Sequence, residues 1–146
     1  MNLEDLIDKK LELLSSEGDT SVELISSIEN KFEVLFDYLQ DGFGEELNEE
    51  EFEMLLFTNF IILACAGEMD SGIEFDPEKY SEEEENGFKL LEENNSRDVF
   101  SFEYGYKYLE LFHFTEDYLD GLEEEGINRV IQNIIFVVSV SLLKSL

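Results

Sequence analysis

Fifteen residues, Phe52 to Ala66 (FEMLLFTNFIILACA), constrain this chain more than any other stretch. After Glu53 only Thr58 and Asn59 are polar before Gly67. A helix that is apolar on every side has to be surrounded by protein or by lipid. At 1.5 Å per residue, fifteen residues reach about 22 Å, short of the ~30 Å hydrocarbon core of a bilayer. The run is therefore expected to be the central helix of a bundle, stopped at Gly67.

The chain on either side also reads as helices. Asn2 is placed to cap a first helix reaching about Ser16. Thr20 to Glu23 has the capping-box pattern, ahead of Ile25, Ile28, Phe32, Leu35, Phe36 and Leu39, whose spacing predicts one helix ended by Gly42 and Gly44. Asn48 to Glu51 would cap the central helix, where three glutamates suit the positive end of the helix dipole. Residues 67–77 read as a loop, Asp76-Pro77 as a helix start, and Ser81 to Glu84 as a capping box for a helix to about Glu93. Over 99–108 the alternation of aromatic and polar residues permits a short strand. Phe100, Tyr104, Tyr108 and Phe112 also fit four-residue helical spacing, and helix is preferred because a lone strand has little to pair with. Thr115 would cap a short helix to Leu122. Ile127, Val130, Ile131, Ile134, Val138 and Leu142 share one side of a last helix, expected to pack on the central one. The expectation is an all-α fold: one domain, 1–146, a bundle of about six helices around the helix at 52–66.

The surface of such a bundle would be extremely acidic. Asp and Glu number 37 against 9 Lys and Arg, a formal net charge of -28. Drift in codon usage is a poor explanation. Two Ala, no Trp, one Pro and abundant Phe, Ile and Asn suggest AT-rich coding, which supplies Lys generously, yet there are seven Lys and two Arg. Self-repulsion destabilises a compact chain, so this acidity calls for a compensating use.

Catalytic chemistry is sparse. With one His and one Cys, a nucleophilic triad of the usual composition cannot be assembled. Cys65 lies inside the apolar run and reads as a small hydrophobe. Glu110 and His113 have ExxH spacing, but a carboxylate di-iron site needs two such pairs. Asp70, Glu74, Asp76 and Glu78 are spaced suggestively for calcium, yet the sixth position counted from Asp70 is Phe75, where an EF-hand loop needs Gly. No phosphate loop or dinucleotide fingerprint is present. No catalytic residue, metal site or cofactor is expected, and the chain is not expected to be an enzyme. Direct binding to nucleic acid is disfavoured, because phosphate contacts need clustered Lys and Arg.

The acids fall in three runs. Seven lie between Asp41 and Glu53 with no base, nine between Glu68 and Glu85 with only Lys79, and six between Glu116 and Glu125 with no base. If these line one core they make a continuous negative surface that attracts a basic protein from a distance. The candidate partner-binding residues are Glu45, Glu46, Glu49 and Glu50; Asp70, Glu74 and Asp76; Glu82, Glu83, Glu84 and Glu85; and Asp117, Asp120, Glu123, Glu124 and Glu125. By analogy of class, such properties suit an inhibitor of a basic protein that acts on nucleic acid, first of all an immunity protein for a nuclease toxin. The alternatives are a phage-encoded DNA mimic acting on a restriction or CRISPR-type defence, a metal-dependent carboxylate enzyme resting on Glu110 and His113, and a structural homodimer subunit, so the chain is either monomer or homodimer. No membrane partner is expected. An acidic, amphipathic start without a signal pattern and a lone buried cysteine point to the cytoplasm.

Overall fold

The protein is all-helical. A computed structural model describes residues 2–16, 18–97, 100 and 107–146, and among these it forms seven helices. They belong to two compact units, Met1–Phe75 and Asp76–Leu146.

The first unit contains α1 (Leu3–Ser15), α2 (Asp19–Lys31), α3 (Glu33–Phe43) and α4 (Glu49–Met69). Asn2 caps α1 as its position suggests, its Oδ1 accepting from the Asp5 amide at 2.8 Å. Asn48 and Glu51 form a reciprocal capping box on α4: the Glu51 amide donates to Asn48 Oδ1 and the Asn48 amide to Glu51 Oε1. The box expected at Thr20 is absent, because α2 starts two residues earlier than a Thr20 cap would allow, at Asp19 with Gly18 at the cap. The single helix expected up to Gly42 is broken at Phe32 (φ -115°, ψ 36°), which becomes the joint between α2 and α3. No Gly or Pro marks that joint in the sequence. Its effect is to keep Phe32 buried along with Ile28, Leu35 and Leu39 on either side of the bend.

Helix α4 is longer than its apolar run. It passes through Gly67, whose place in a helix needs only helical φ and ψ, and ends at Met69 with Asp70 as cap. Twenty-one residues reach about 31 Å, so the argument from length against a bilayer fails. By length and composition the helix could cross a membrane. Within the protein, however, every residue from Thr58 to Ala66 is buried, and α1 and α2 pack along it. The two polar members of the run bond back to their own helix, Thr58 Oγ1 and Asn59 Nδ2 both donating to the Leu55 carbonyl, while Asn59 Oδ1 is buried without a hydrogen-bond partner among the described residues. Phe60 stacks on Phe36 of α3 with ring centroids 5.1 Å apart.

The second unit contains α5 (Pro77–Asn94), α6 (Leu109–Glu124) and α7 (Arg129–Ser145). Asp76 caps α5, accepting from the Glu78 and Lys79 amides, with Pro77 at the first helical position. Ser81 is thus the fifth residue of α5 and caps nothing. Thr115 is likewise inside a helix: it is fully buried, and its hydroxyl donates to the Leu111 carbonyl of α6. The choice between helix and strand over 99–108 falls mostly outside the described residues; from Leu109 onward the chain is helical. Helix α7 forms despite its β-branched residues and packs on α5 and α6 of its own unit. Its Phe136 ring meets Phe100 edge-on at 4.9 Å. At Gly87 of α5 an added Cβ would lie 3.0 Å from Val137 Cγ1 of α7.

Candidate functional site

A run of acids on a helix cannot face one way. Successive residues turn by about 100°, so four in a row cover most of the circumference. Glu82, Glu83, Glu84 and Glu85 of α5 show this directly. Glu82 and Glu85 are exposed, whereas Glu83 and Glu84 are half-buried. Glu83 Oε2 stands 3.6 Å from the Lys144 ammonium of α7, whose side chain is 7% exposed. Glu83 and Glu84 therefore leave the candidate surface. The exposed line on α5 is instead Glu78, Glu82, Glu85 and Glu92, interrupted by Lys89.

Helix α6 carries the cleaner surface. Glu110, His113, Asp117, Asp120 and Glu124 are all exposed and follow one another at steps of three or four, which places them on one helical side. Four carboxylates over about 21 Å stand roughly 7 Å apart on average, about twice the 3.4 Å between charges along a single DNA strand. His113 Nδ1 lies 3.2 Å from Glu116 Oε1, which engages the ring along the helix. Beyond the stripe, Glu123, Glu124 and Glu125 crowd the end of α6. That end is closed by a Schellman motif, in which the Ile127 amide donates to Leu122 and the Gly126 amide to Glu123, with Gly126 at φ 82°. Acids at the negative end of a helix dipole are unfavourable. The local potential is felt by Tyr118, whose phenol is pushed up to about 12 by burial first and by Glu125 second. Glu123 is partly offset by Arg129, 3.4 Å away.

In the first unit, Glu45 and Glu46 on the α3–α4 connection, and Glu49 and Glu50 in the first turn of α4, are exposed together. Asp70 and Glu74 are exposed too, but at the other end of α4. Ile73 between them folds back to within 3.9 Å of a Cβ built on Gly67. These two acidic groups are thus separated by roughly the length of the helix and do not merge into one patch. Asp70 and Asp76 also have local duties, Asp70 Oδ1 accepting from the Gly72 amide and Asp76 capping α5.

Residues that reasoning by contiguous runs missed are Glu78, Glu92 and Glu110. Helical periodicity applied to the acids, as it was to the apolar residues, would have found all three.

Among the described residues no group of three or more His, Cys, Asp or Glu side chains is placed to hold a metal ion. Glu110 and His113 share a side of α6 without a third ligand. Cys65 is fully buried, and desolvation pushes its thiol up to about 12 against the small opposing pull of Lys10. A thiol in that state is no nucleophile.

The chain matches no protein-family model, and comparison with curated proteins and with solved structures likewise finds no match.

Proposed function

We propose that this protein is an acidic inhibitor that docks on a basic, nucleic-acid-acting protein, in the first place an immunity protein for a nuclease toxin, working in the cytoplasm. The observation that carries the reading is the exposed carboxylate line of α6, from Glu110 through Asp117 and Asp120 to Glu124. It sits on a chain of net charge -28 and continues into three glutamates held at an unfavourable helix end. Groups kept where they cost stability are the ones expected to serve binding. A rigid helical row of carboxylates can occupy the phosphate track of a basic cleft, and the long-range field speeds encounter. The same surface chemistry serves a phage-encoded mimic of DNA, and the gene beside this one separates the two.

The test is capture from lysate of the source organism on immobilised protein at low and at high salt, followed by a nuclease assay on what is captured. Retention at low salt of a basic protein that cleaves nucleic acid, inhibition of that cleavage, and loss of both in D117N/D120N/E124Q support the reading. Capture of no such protein, or equal capture by the neutralised variant, overturns it.

A further inference from the structure

The chain has only two arginines, and both line the same groove. This groove, about 720 Å³, lies wholly within the second unit, between α5, the Asn95–Arg97 turn, the end of α6 and the first turns of α7. Its volume falls in the range of pockets that hold small molecules, about 300–1,000 Å³. Phe88 and Leu91 of α5 and Ile134 of α7 supply apolar lining, as does Val130, which is 63% exposed.

The polar members of the lining are unusual in two ways. Arg97 holds its guanidinium 5.7 Å over the Phe136 ring, and its Nη1 is shut off from water with no hydrogen-bond partner among the described residues. Asn133 Oδ1, on the α7 wall, is buried and equally without a partner. Buried polar atoms are nearly always satisfied, and one that is not asks for an explanation such as an absent ion or ligand. Two such atoms in the lining of one groove ask for it together. The second feature is charge. Arg97 and Arg129 stand against Glu92 and Glu123, so among the described residues the lining is formally neutral in a chain whose net charge is -28.

We propose that this groove binds a small organic monocarboxylate with an apolar body. The guanidinium of Arg97 supplies the planar fork that matches a carboxylate, and a carboxylate supplies the acceptor that its Nη1 lacks. Asn133 Oδ1 takes a donor from a hydroxyl or amino group on the same ligand. The apolar body covers Phe88, Leu91 and Ile134. A phosphate dianion is disfavoured, since Glu92 and Glu123 beside it and the field of the whole chain repel a second negative charge. The groove shares Glu123 with the acidic end of α6 but none of the four carboxylates of the stripe, Glu110, Asp117, Asp120 and Glu124.

The probes are 3-phenyllactate, which carries a carboxylate, a hydroxyl and an apolar ring, its uncharged amide, and inorganic phosphate. Titration calorimetry and amide chemical-shift mapping on the full chain read the result. Saturable binding of 3-phenyllactate with a dissociation constant below about 1 mM is expected, with shifts confined to α5, Asn95–Arg97 and the start of α7. The amide and phosphate should bind at least about tenfold more weakly. R97Q should lose about tenfold in affinity, R97K should recover only part of it, and R129Q should lose less because Arg129 is exposed and shared with Glu123. Because R97Q also removes the contact with Phe136, V130E provides a second reading: it places a carboxylate at the rim without touching Arg97, and should weaken binding while leaving the fold intact. Absence of saturable binding, equal affinity for acid and amide, or undiminished binding in both R97Q and V130E overturns the proposal.

Discussion

Lys144 of α7 and Glu83 of α5 meet at 3.6 Å, with 7% of the lysine side chain and 23% of the glutamate side chain exposed. The ammonium also lies 5.4 Å from the centre of the Phe100 ring. A charge so removed from water depends on its partners, and removing one of a buried pair costs more than the pair's net worth. E83Q is therefore expected to destabilise the protein by about 1.5–3 kcal/mol, whereas E82Q and E85Q, about 100° and 200° away round the helix, should change stability by less than about 0.5 kcal/mol. Urea unfolding of the three variants checks this. Equal effects at all three positions would mean that Glu83 is not turned inward.

That contrast also marks what was legible in the sequence and what was not. Apolar spacing located the helices, because burial imposes a period on the side chains that must be buried; Asn2, Asn48 and Asp76 located three starts, because a cap is a local hydrogen bond between near neighbours. Ser81 and Thr115 carry the same local signal yet sit within helices: the Asp76 cap and Pro77 have already started α5 ahead of Ser81, and the apolar Leu111, Phe112 and Phe114 already lie in α6 ahead of Thr115. Nothing local encodes the bend at Phe32. For the candidate surface, the sequence showed where acids are dense but not which way they point. Contiguity placed Glu83 and Glu84 outside and passed over Glu78 and Glu110. The groove of Arg97 and Arg129 was invisible because its walls come from four separate segments.

The Lys10 ammonium lies 2.7 Å from Glu68 and, by that hydrogen bond first of all, holds the Glu68 carboxyl below the usual carboxylate range. A folded-state pKa below the unfolded one contributes stability that is present above the ordinary carboxylate pKa and is lost as pH falls through the folded value. Glu68 is half-exposed, so the contribution is small, below about 1 kcal/mol. E68Q should accordingly lower the melting temperature at pH 7 and bring it level with the parent's near pH 3. Melting curves that stay parallel over that range would show that the pair contributes nothing to the acid limb.

Glycines in helices provide an internal control on packing. Replacing Gly by Ala inside an exposed helix gains about 0.5–1 kcal/mol. Nothing lies within 4 Å of a Cβ built on Gly121 in α6, so G121A should show that gain. At Gly87 the added carbon would stand 3.0 Å from Val137 Cγ1 and 3.8 Å from Phe100 Cε1. A methyl forced between α5 and α7 should cost about 1–2 kcal/mol net of the helix gain, as overpacked cores do. V137A should recover part of that loss when combined with G87A, the two acting non-additively because they share one contact. Denaturant midpoints of the four proteins decide it, and a stabilising G87A would place α5 and α7 farther apart than described.

The acidic stripe of α6 separates the charge needed for stability from the charge available for binding. Repulsion among its carboxylates is unfavourable and screened by salt, with a reach of about 10 Å at 0.1 M. The melting temperature of the parent is thus expected to rise between about 10 mM and 300 mM sodium chloride, and that rise should be smaller in D117N/D120N/E124Q, which should also be the more stable protein at low salt. If the stripe is the docking surface proposed above, the same triple variant should associate with the captured basic protein more slowly, with a flatter dependence of association rate on salt. E83Q supplies the opposite pattern. It removes the same type of charge from the same unit, but from a position turned toward Lys144, and should lower stability while leaving the association rate nearly unchanged. Stopped-flow association across a salt series, run beside melting curves for parent, triple variant and E83Q, reads both quantities on the same samples. Slowing by E83Q of about one third of that by the triple variant on a logarithmic scale, in proportion to one charge against three, would mean that net charge alone governs encounter, and that the orientation of the α6 carboxylates has no part in it.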